Sequence, residues 1–104
     1  MLSTVIYEIT AVSAPELTEK YEKYMRERHI PDLLATGYFQ GANFSRSAEN
    51  RYRIRYEAFN QTALDNYLEN EAEKLRADFL AHFPEGVELT REVWEVLQVW
   101  SGDI

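Results

Sequence analysis

Alternation of apolar and polar positions opens the chain. Val5, Tyr7 and Ile9 alternate with Thr4, Glu8 and Thr10, the period of a half-buried strand over residues 4 to 11. Ile6 breaks the alternation, so the second face of that strand is not purely polar. The period then changes. Ser13-Ala14-Pro15-Glu16 has capping-box spacing, with Ser13 as the cap, Glu16 reaching back and Pro15 in the first turn. Leu17, Tyr21, Tyr24, Met25 and Arg28 follow at helical spacing, while Glu16, Glu19, Lys20, Glu22 and Lys23 fall largely on the other side. This predicts a helix over about 15–28. Pro31 should end or bend it near His29. Leu33 and Leu34, stopped by Gly37, predict one more short helical turn.

Residues 38 to 47 and 51 to 59 read as two strands joined by the polar turn Ala48-Glu49-Asn50. In the second strand Tyr52, Ile54, Tyr56 and Ala58 face one way, and Arg53, Arg55 and Glu57 face the other. Asn60 or Thr62 can cap a second helix over about 62–83. Its apolar stripe runs through Leu64, Tyr67, Leu68, Ala72, Leu75, Phe79 and Phe83, and Pro84 with Gly86 ends it. A final strand is expected from Val87 to about Trp100. Such a strand would span roughly 46 Å, too long for a globule with a radius of gyration of about 13 Å. It must bend, fray or reach onto a partner, and the apolar Val96, Val99 and Trp100 favour docking.

The order strand, helix, strand, strand, helix, strand is the split βαβ arrangement of an α+β, ferredoxin-like domain. Residues 1–104 are expected to form one such domain. Two helices then cover one face of a four-stranded antiparallel sheet, and nothing in the chain covers the other. That open face would carry Ile6, Glu8, Arg53, Arg55 and Glu57. Apolar groups mixed with charges of both signs suit self-pairing across a two-fold axis, so a homodimer through the sheet face is expected.

Composition narrows the function. The net charge of -7 argues against nucleic acid and anionic membranes as partners. Cysteine is absent, which excludes disulfides, thiolate catalysis and zinc ribbons. No apolar run approaches the ~20 residues that span a bilayer. The start, Met1-Leu2-Ser3-Thr4-Val5-Ile6-Tyr7-Glu8, reads as strand and lacks the basic start and cleavage site of a signal peptide, so a cytoplasmic location is expected. No phosphate-cradling glycine loop, nucleophile elbow or dinucleotide fingerprint is present, and no cofactor is expected.

The stretch Tyr24-Met25-Arg26-Glu27-Arg28-His29-Ile30-Pro31-Asp32-Leu33-Leu34-Ala35-Thr36-Gly37-Tyr38-Phe39 resembles a family of small bacterial proteins without an established activity. That family is built around His-Ile-Pro, then Ala-Thr-Gly, then an aromatic. The likeness extends to Tyr56-Glu57, Leu75-Arg76-Ala77 and Arg91-Glu92-Val93-Trp94-Glu95-Val96. More distantly the chain is similar to the dimeric α/β-barrel superfamily. Its members include small monooxygenases of the antibiotic-biosynthesis type, muconolactone isomerases, polyketide cyclases and stress-response proteins. The resemblance implies two sheets meeting face to face, with any ligand between sheet and helices or inside the barrel. Arg28 stands where the family pattern has an acidic residue before His29.

His29, at the Pro-broken helix end, is the candidate catalytic residue: a general base or a ligand for an anionic oxygen. Its plainer role is to bond the last free helix carbonyls. Tyr7 and Tyr56 would supply pocket walls with polar tips. Arg53 and Arg55 could bind a substrate carboxylate, or pair with Glu8 and Glu57 in an interface network. His82 reads as a helix-end residue beside the dipole. His29 and Asp32 lack a second nearby histidine, so no metal site is expected. The basic–aromatic run from Arg51 to Phe59 lacks the glycines of an RNA-binding strand. Two functions stand: a cofactor-independent enzyme or binder for a small, aromatic molecule, or a non-catalytic dimeric structural or interaction module.

Overall fold

Strand β1, Val5–Ser13, occupies the centre of the sheet because both of its faces carry apolar side chains. Val5, Tyr7, Ile9 and Ala11 point into the core, and Ile6 on the opposite face is 8% exposed. The structure, a computed structural model, describes residues 3–102, so the expected strand assignment of Met1 and Leu2 lies outside the described residues. Among the described residues β2 (Phe39–Ala48), β3 (Arg51–Ala58) and β4 (Val87–Glu95) complete a four-stranded sheet in the order β2-β3-β1-β4. Every pairing is antiparallel. This is the ferredoxin-like arrangement the element order predicts.

Register fixes what each face presents. Tyr7 lies opposite Tyr56 and Val93, Glu8 opposite Arg55 and Glu92, and Ile9 opposite Ile54 and Arg91. Tyr52, Ile54, Tyr56 and Ala58 are buried under the helices, as their alternation requires. Burying Ile54 alone contributes about 1.5–3 kcal/mol. Trp94 pairs with Ile6 and belongs to the helix-free face, where it stays half exposed.

The first helical run departs from expectation at both ends. Ser13 remains in β1, where its N–H donates to the Asn50 carbonyl at 3.0 Å, and Ala14 takes the cap position without a side-chain bond. Pro15 is the reason: it forces the residue before it into extended backbone, so the helix begins one step later. A 3₁₀ turn, Pro15–Leu17, leads into α1, Thr18–Tyr24. Pro31 does not end the helix near His29. A π-helical turn, Met25–His29, carries the run into α2, Ile30–Leu34. The Ile30 N–H donates to the Met25 carbonyl, five residues back. This wider turn makes room where a proline ring clashes with the preceding turn, and Pro31 falls in the first turn of α2, which needs no donor from it. Gly37, at φ +87°, stops the run as predicted.

The second helical run divides into α3, Gln61–Asn70, and α4, Ala72–His82, with Glu71 between them out of helical geometry. Asn60 caps α3 by accepting from the Ala63 N–H at 2.9 Å. Leu64, Tyr67, Ala72, Leu75, Phe79 and Phe83 from the predicted stripe are buried, while Leu68 is partly exposed. Gly86 follows at φ +88°, a conformation that favours glycine, with the end of the Leu17 side chain packed where a Cβ would stand.

The last strand is shorter than expected. It ends at Glu95 because β1 begins opposite it, at Val5. The Val96 N–H still reaches the Thr4 carbonyl at 2.9 Å. Beyond it Leu97, Val99 and Trp100 continue off the edge with their side chains exposed. No helix among the described residues is long and apolar enough to cross a membrane.

Candidate ligand site between sheet and helices

A cavity of about 340 Å³ opens between the covered face of the sheet and the helices. Its apolar walls come from Ile9, Ile54 and Leu89 on the sheet, Met25 on the π turn, and Phe79 and Leu80 on α4. Four polar side chains complete the lining: Tyr21, His29, Arg76 and Arg91. The π turn matters here. Its extra residue changes the helical phase, and His29 comes out buried against Phe79 and Tyr24, with ring centroids 5.7 and 5.8 Å away.

His29 is held neutral. Burial pushes its pKa down to about 4; the Asp78 and Asp32 carboxylates pull it up and the Arg91 charge lowers it further, but burial prevails. Its Nδ1 is enclosed and has no hydrogen-bond partner among the described residues. The Tyr21 and Tyr56 hydroxyls share that condition, and burial raises the pKa of both phenols. At neutral pH the imidazole is therefore a hydrogen-bonding group and not a cation.

Beside the cavity a clamp joins the two helical runs. Arg28 donates to both Asp78 oxygens, at 2.9 and 2.6 Å, and the Tyr24 hydroxyl donates to the same carboxylate at 2.7 Å. The Arg28 bonds, then Tyr24, hold the Asp78 pKa below the usual carboxylate range. Arg28 thus engages an acid from α4. His82 stands 4.5 Å from Tyr24 by ring centroids and bonds through Nδ1 to the Asp78 backbone carbonyl at 2.9 Å, in the helix-end role expected of it.

The candidate residues named from sequence divide between the two faces. His29 lines the cavity. Tyr7 and Tyr56 lie in the adjoining aromatic core, 6.1 Å apart, and Tyr7 accepts a bond from Arg76 at 3.0 Å. Arg53 and Arg55 are on the opposite face, where Arg55 donates to Glu8 and Arg53 lies 3.9 Å from the same carboxylate. Sequence reasoning missed Arg76 and Arg91 as site residues. Arg91 had a signal: it interrupts the inward series Val87, Leu89, Val93, standing where the register with Ile9 demands an apolar side chain. Arg76 lies four residues after Ala72 and three before Phe79, at the margin of the apolar stripe. Among the described residues no three His, Asp or Glu side chains converge as metal ligands.

The four-stranded sheet with helices on one face is a fold shared with solved structures. SnoaB, a cofactor-independent oxygenase from Streptomyces nogalater solved as a variant, superposes with a TM-score of 0.73 at 14% identity, covering 93% of this chain and 96% of that one. A putative antibiotic biosynthesis monooxygenase from Nitrosomonas europaea gives 0.74 at 10% identity, covering 93% of each chain. A dimeric ferredoxin-like protein from an uncultured marine organism gives 0.69 at 15% identity, covering 94% and 99%. At such identities the likeness is one of fold. The family follows from the sequence: residues 4–97 match the domain of unknown function DUF4286, and the chain belongs to that family. No curated protein matches the sequence.

Proposed function

We propose that this protein binds a small, aromatic-sized molecule in the cavity beside His29, acting in the cytoplasm as a cofactor-independent enzyme or binder. The observation that carries this reading is the cavity itself: apolar walls, about 340 Å³, with polar groups at a few points and an enclosed imidazole nitrogen that has no partner among the described residues. Ligand pockets have that anatomy, and their usual volumes of about 300–1,000 Å³ put this one at the size of a one- or two-ring compound. SnoaB, a cofactor-independent oxygenase of similar fold, is consistent with this reading. Titrating the labelled protein with naphthol, a neutral two-ring probe, and following backbone amide shifts tests it. Saturable shifts at Met25, His29, Phe79 and Leu89 are expected. Shifts confined to the helix-free face, or none at millimolar probe, overturn it.

The helix-free face supports self-association alongside this. Trp94 is half exposed there, and it lines a shallow groove with Ile6, Arg53, Arg55, Leu97 and Trp100. One relative of the same fold is described as dimeric. Two copies meeting through this face would bury Trp94 at the centre, where truncation of an aromatic anchor costs about 2 kcal/mol or more. Light scattering should find a dimer for the wild type and a folded monomer for Trp94→Glu. A wild-type monomer at tens of micromolar defeats the proposal.

A further inference from the structure

The distribution of arginine partners across this molecule is uneven. Arg26, Arg28, Arg46, Arg53 and Arg55 all form ion pairs with Glu8, Glu22 or Asp78. Arg51, on the exposed β2–β3 hairpin, bonds only the Ser47 hydroxyl; Arg76 and Arg91, which line the cavity, also form no ion pair among the described residues, and the bond made by Arg76 is to the neutral Tyr7 hydroxyl. Yet the chain carries 18 acidic against 11 basic residues, so carboxylate partners are abundant. The two guanidiniums come from different elements, α4 and β4, and both line the one cavity. Arg91 occupies a helix-side register position opposite Ile9, where an apolar side chain would stabilise the sheet more.

We propose that the ligand of this cavity is an organic anion, with an apolar ring body held between sheet and helices and a single carboxylate bound at the mouth by Arg76 and Arg91. This rests on the cavity being a ligand site. Arg76 and Arg91 are exposed in surface terms, which places them at the opening, while Ile54 and Tyr21 are fully buried at the inner end. A ligand entering ring first leaves its charged end between the guanidiniums. A carboxylate matches the planar fork of arginine with two parallel bonds. His29 cannot supply the positive charge, because its burial keeps it neutral, and it is left to bond a neutral polar atom on the ring. A phosphate would bring a second charge and more oxygens than two arginine forks and apolar walls can satisfy.

Calorimetric titration of the full chain with naphthoate and with naphthamide, its neutral counterpart of the same shape, tests the head-group assignment. At neutral pH naphthoate should bind about tenfold more tightly than naphthamide, about the worth of one charge-assisted bidentate contact at a partly exposed site. Arg91→Gln and Arg76→Gln should each reduce that preference to about threefold or less while leaving naphthamide affinity within about twofold. Arg91→Lys should fall between wild type and Arg91→Gln, and serves in its place if the amide variant does not fold. Arg51→Gln, which removes an arginine without a carboxylate partner outside both the cavity and the Trp94 groove, should change nothing. Equal binding of the two probes overturns the anion proposal and leaves the cavity reading standing. A preference that survives in Arg76→Gln/Arg91→Gln, or that disappears in Arg51→Gln, overturns the placement. Binding of neither probe overturns both.

Discussion

The two faces of the sheet handle charge in opposite ways. On the helix-free face Glu8 sits between Arg55 and Arg53, and Gln40 donates to Glu57 at 2.5 Å, so charges there find partners on neighbouring strands. On the covered face the core is built from aromatic rings, and the two guanidiniums at its margin have no carboxylate among the described residues. A charge neutralised by its neighbour on a sheet is a device for solubility or for matching a second copy. A charge left unpaired beside an apolar cavity is available to something from outside the chain. The contrast separates a face suited to assembly from a face suited to binding, and both lie within one residue of each other along every strand.

Substitution of adjacent residues on β3 tests the separation most sharply. Ile54 is fully buried and Arg55, its neighbour, points away. Ile54→Ala should lower unfolding free energy by about 2–5 kcal/mol, through lost transfer energy plus the cavity left behind. Arg55→Ala should cost under about 1 kcal/mol, since its ion pair is partly solvated. Urea denaturation measures both. Comparable losses would mean that the helix-free face contributes to the monomer core.

Acid should act on the covered face through His29. Its folded pKa of about 4 lies below the ordinary value of 6.5, so between these values the unfolded chain holds the extra proton. The contribution of neutral His29 is then complete above about pH 6.5 and declines as pH falls, with about 3 kcal/mol lost by pH 4. The Asp78 and Glu22 carboxylates, whose pKa values are lowered by hydrogen bonds from Arg28 and Tyr52 respectively, also lose stabilisation as acid protonates them. His29→Leu isolates the imidazole, because the carboxylates remain. The stability difference between wild type and variant should shift by about 3 kcal/mol, in favour of the variant, between neutral pH and pH 4. A pH-independent difference would mean that His29 is not neutralised by its surroundings.

Much of the frame was legible before the structure, for a physical reason: a period of two on strands and a stripe on helices report which side chains leave water. Tyr52, Ile54 and Tyr56 were placed correctly by alternation alone, and Asn60 by its cap chemistry. What escaped depends on geometry that composition does not encode. Proline disfavours helix, yet the π turn before Pro31 removes the clash and keeps the run continuous. In the span expected of the last strand, Val87 to Trp100, the apolar Val96, Val99 and Trp100 stand out, whereas Arg91 reads as one more surface charge. The observed strand ends at Glu95, and within it the series Val87, Leu89, Arg91, Val93 faces the helices. His29 was legible as a residue of interest, but its neutral state was not, since that follows from enclosure by Phe79 and Tyr24.

The smallest expected effect is the one that best separates unpaired charge from binding site. The Glu8 side chain is 12% exposed and serves both Arg55 and Arg53. Glu8→Gln keeps its shape and removes its charge, leaving two guanidiniums without a carboxylate on the helix-free face. Stability should fall by under about 1 kcal/mol, because the arginine side chains reach water and can be hydrated there. The variant then has an unpaired arginine couple on each face of the same sheet. The volume on the covered face is walled by both sheet and helices, whereas the groove that Arg53 and Arg55 share with Ile6, Trp94 and Trp100 is shallow, so naphthoate should still bind once per chain with unchanged affinity. Enclosure supplies the desolvated ring contacts that a rim charge alone cannot. A second equivalent bound by Glu8→Gln would show that exposed arginines suffice for capture, and the distinction between the two faces would collapse. One equivalent, as in the wild type, would place the selectivity in the combination of cavity and cations that Ile9, Phe79, Arg76 and Arg91 form together.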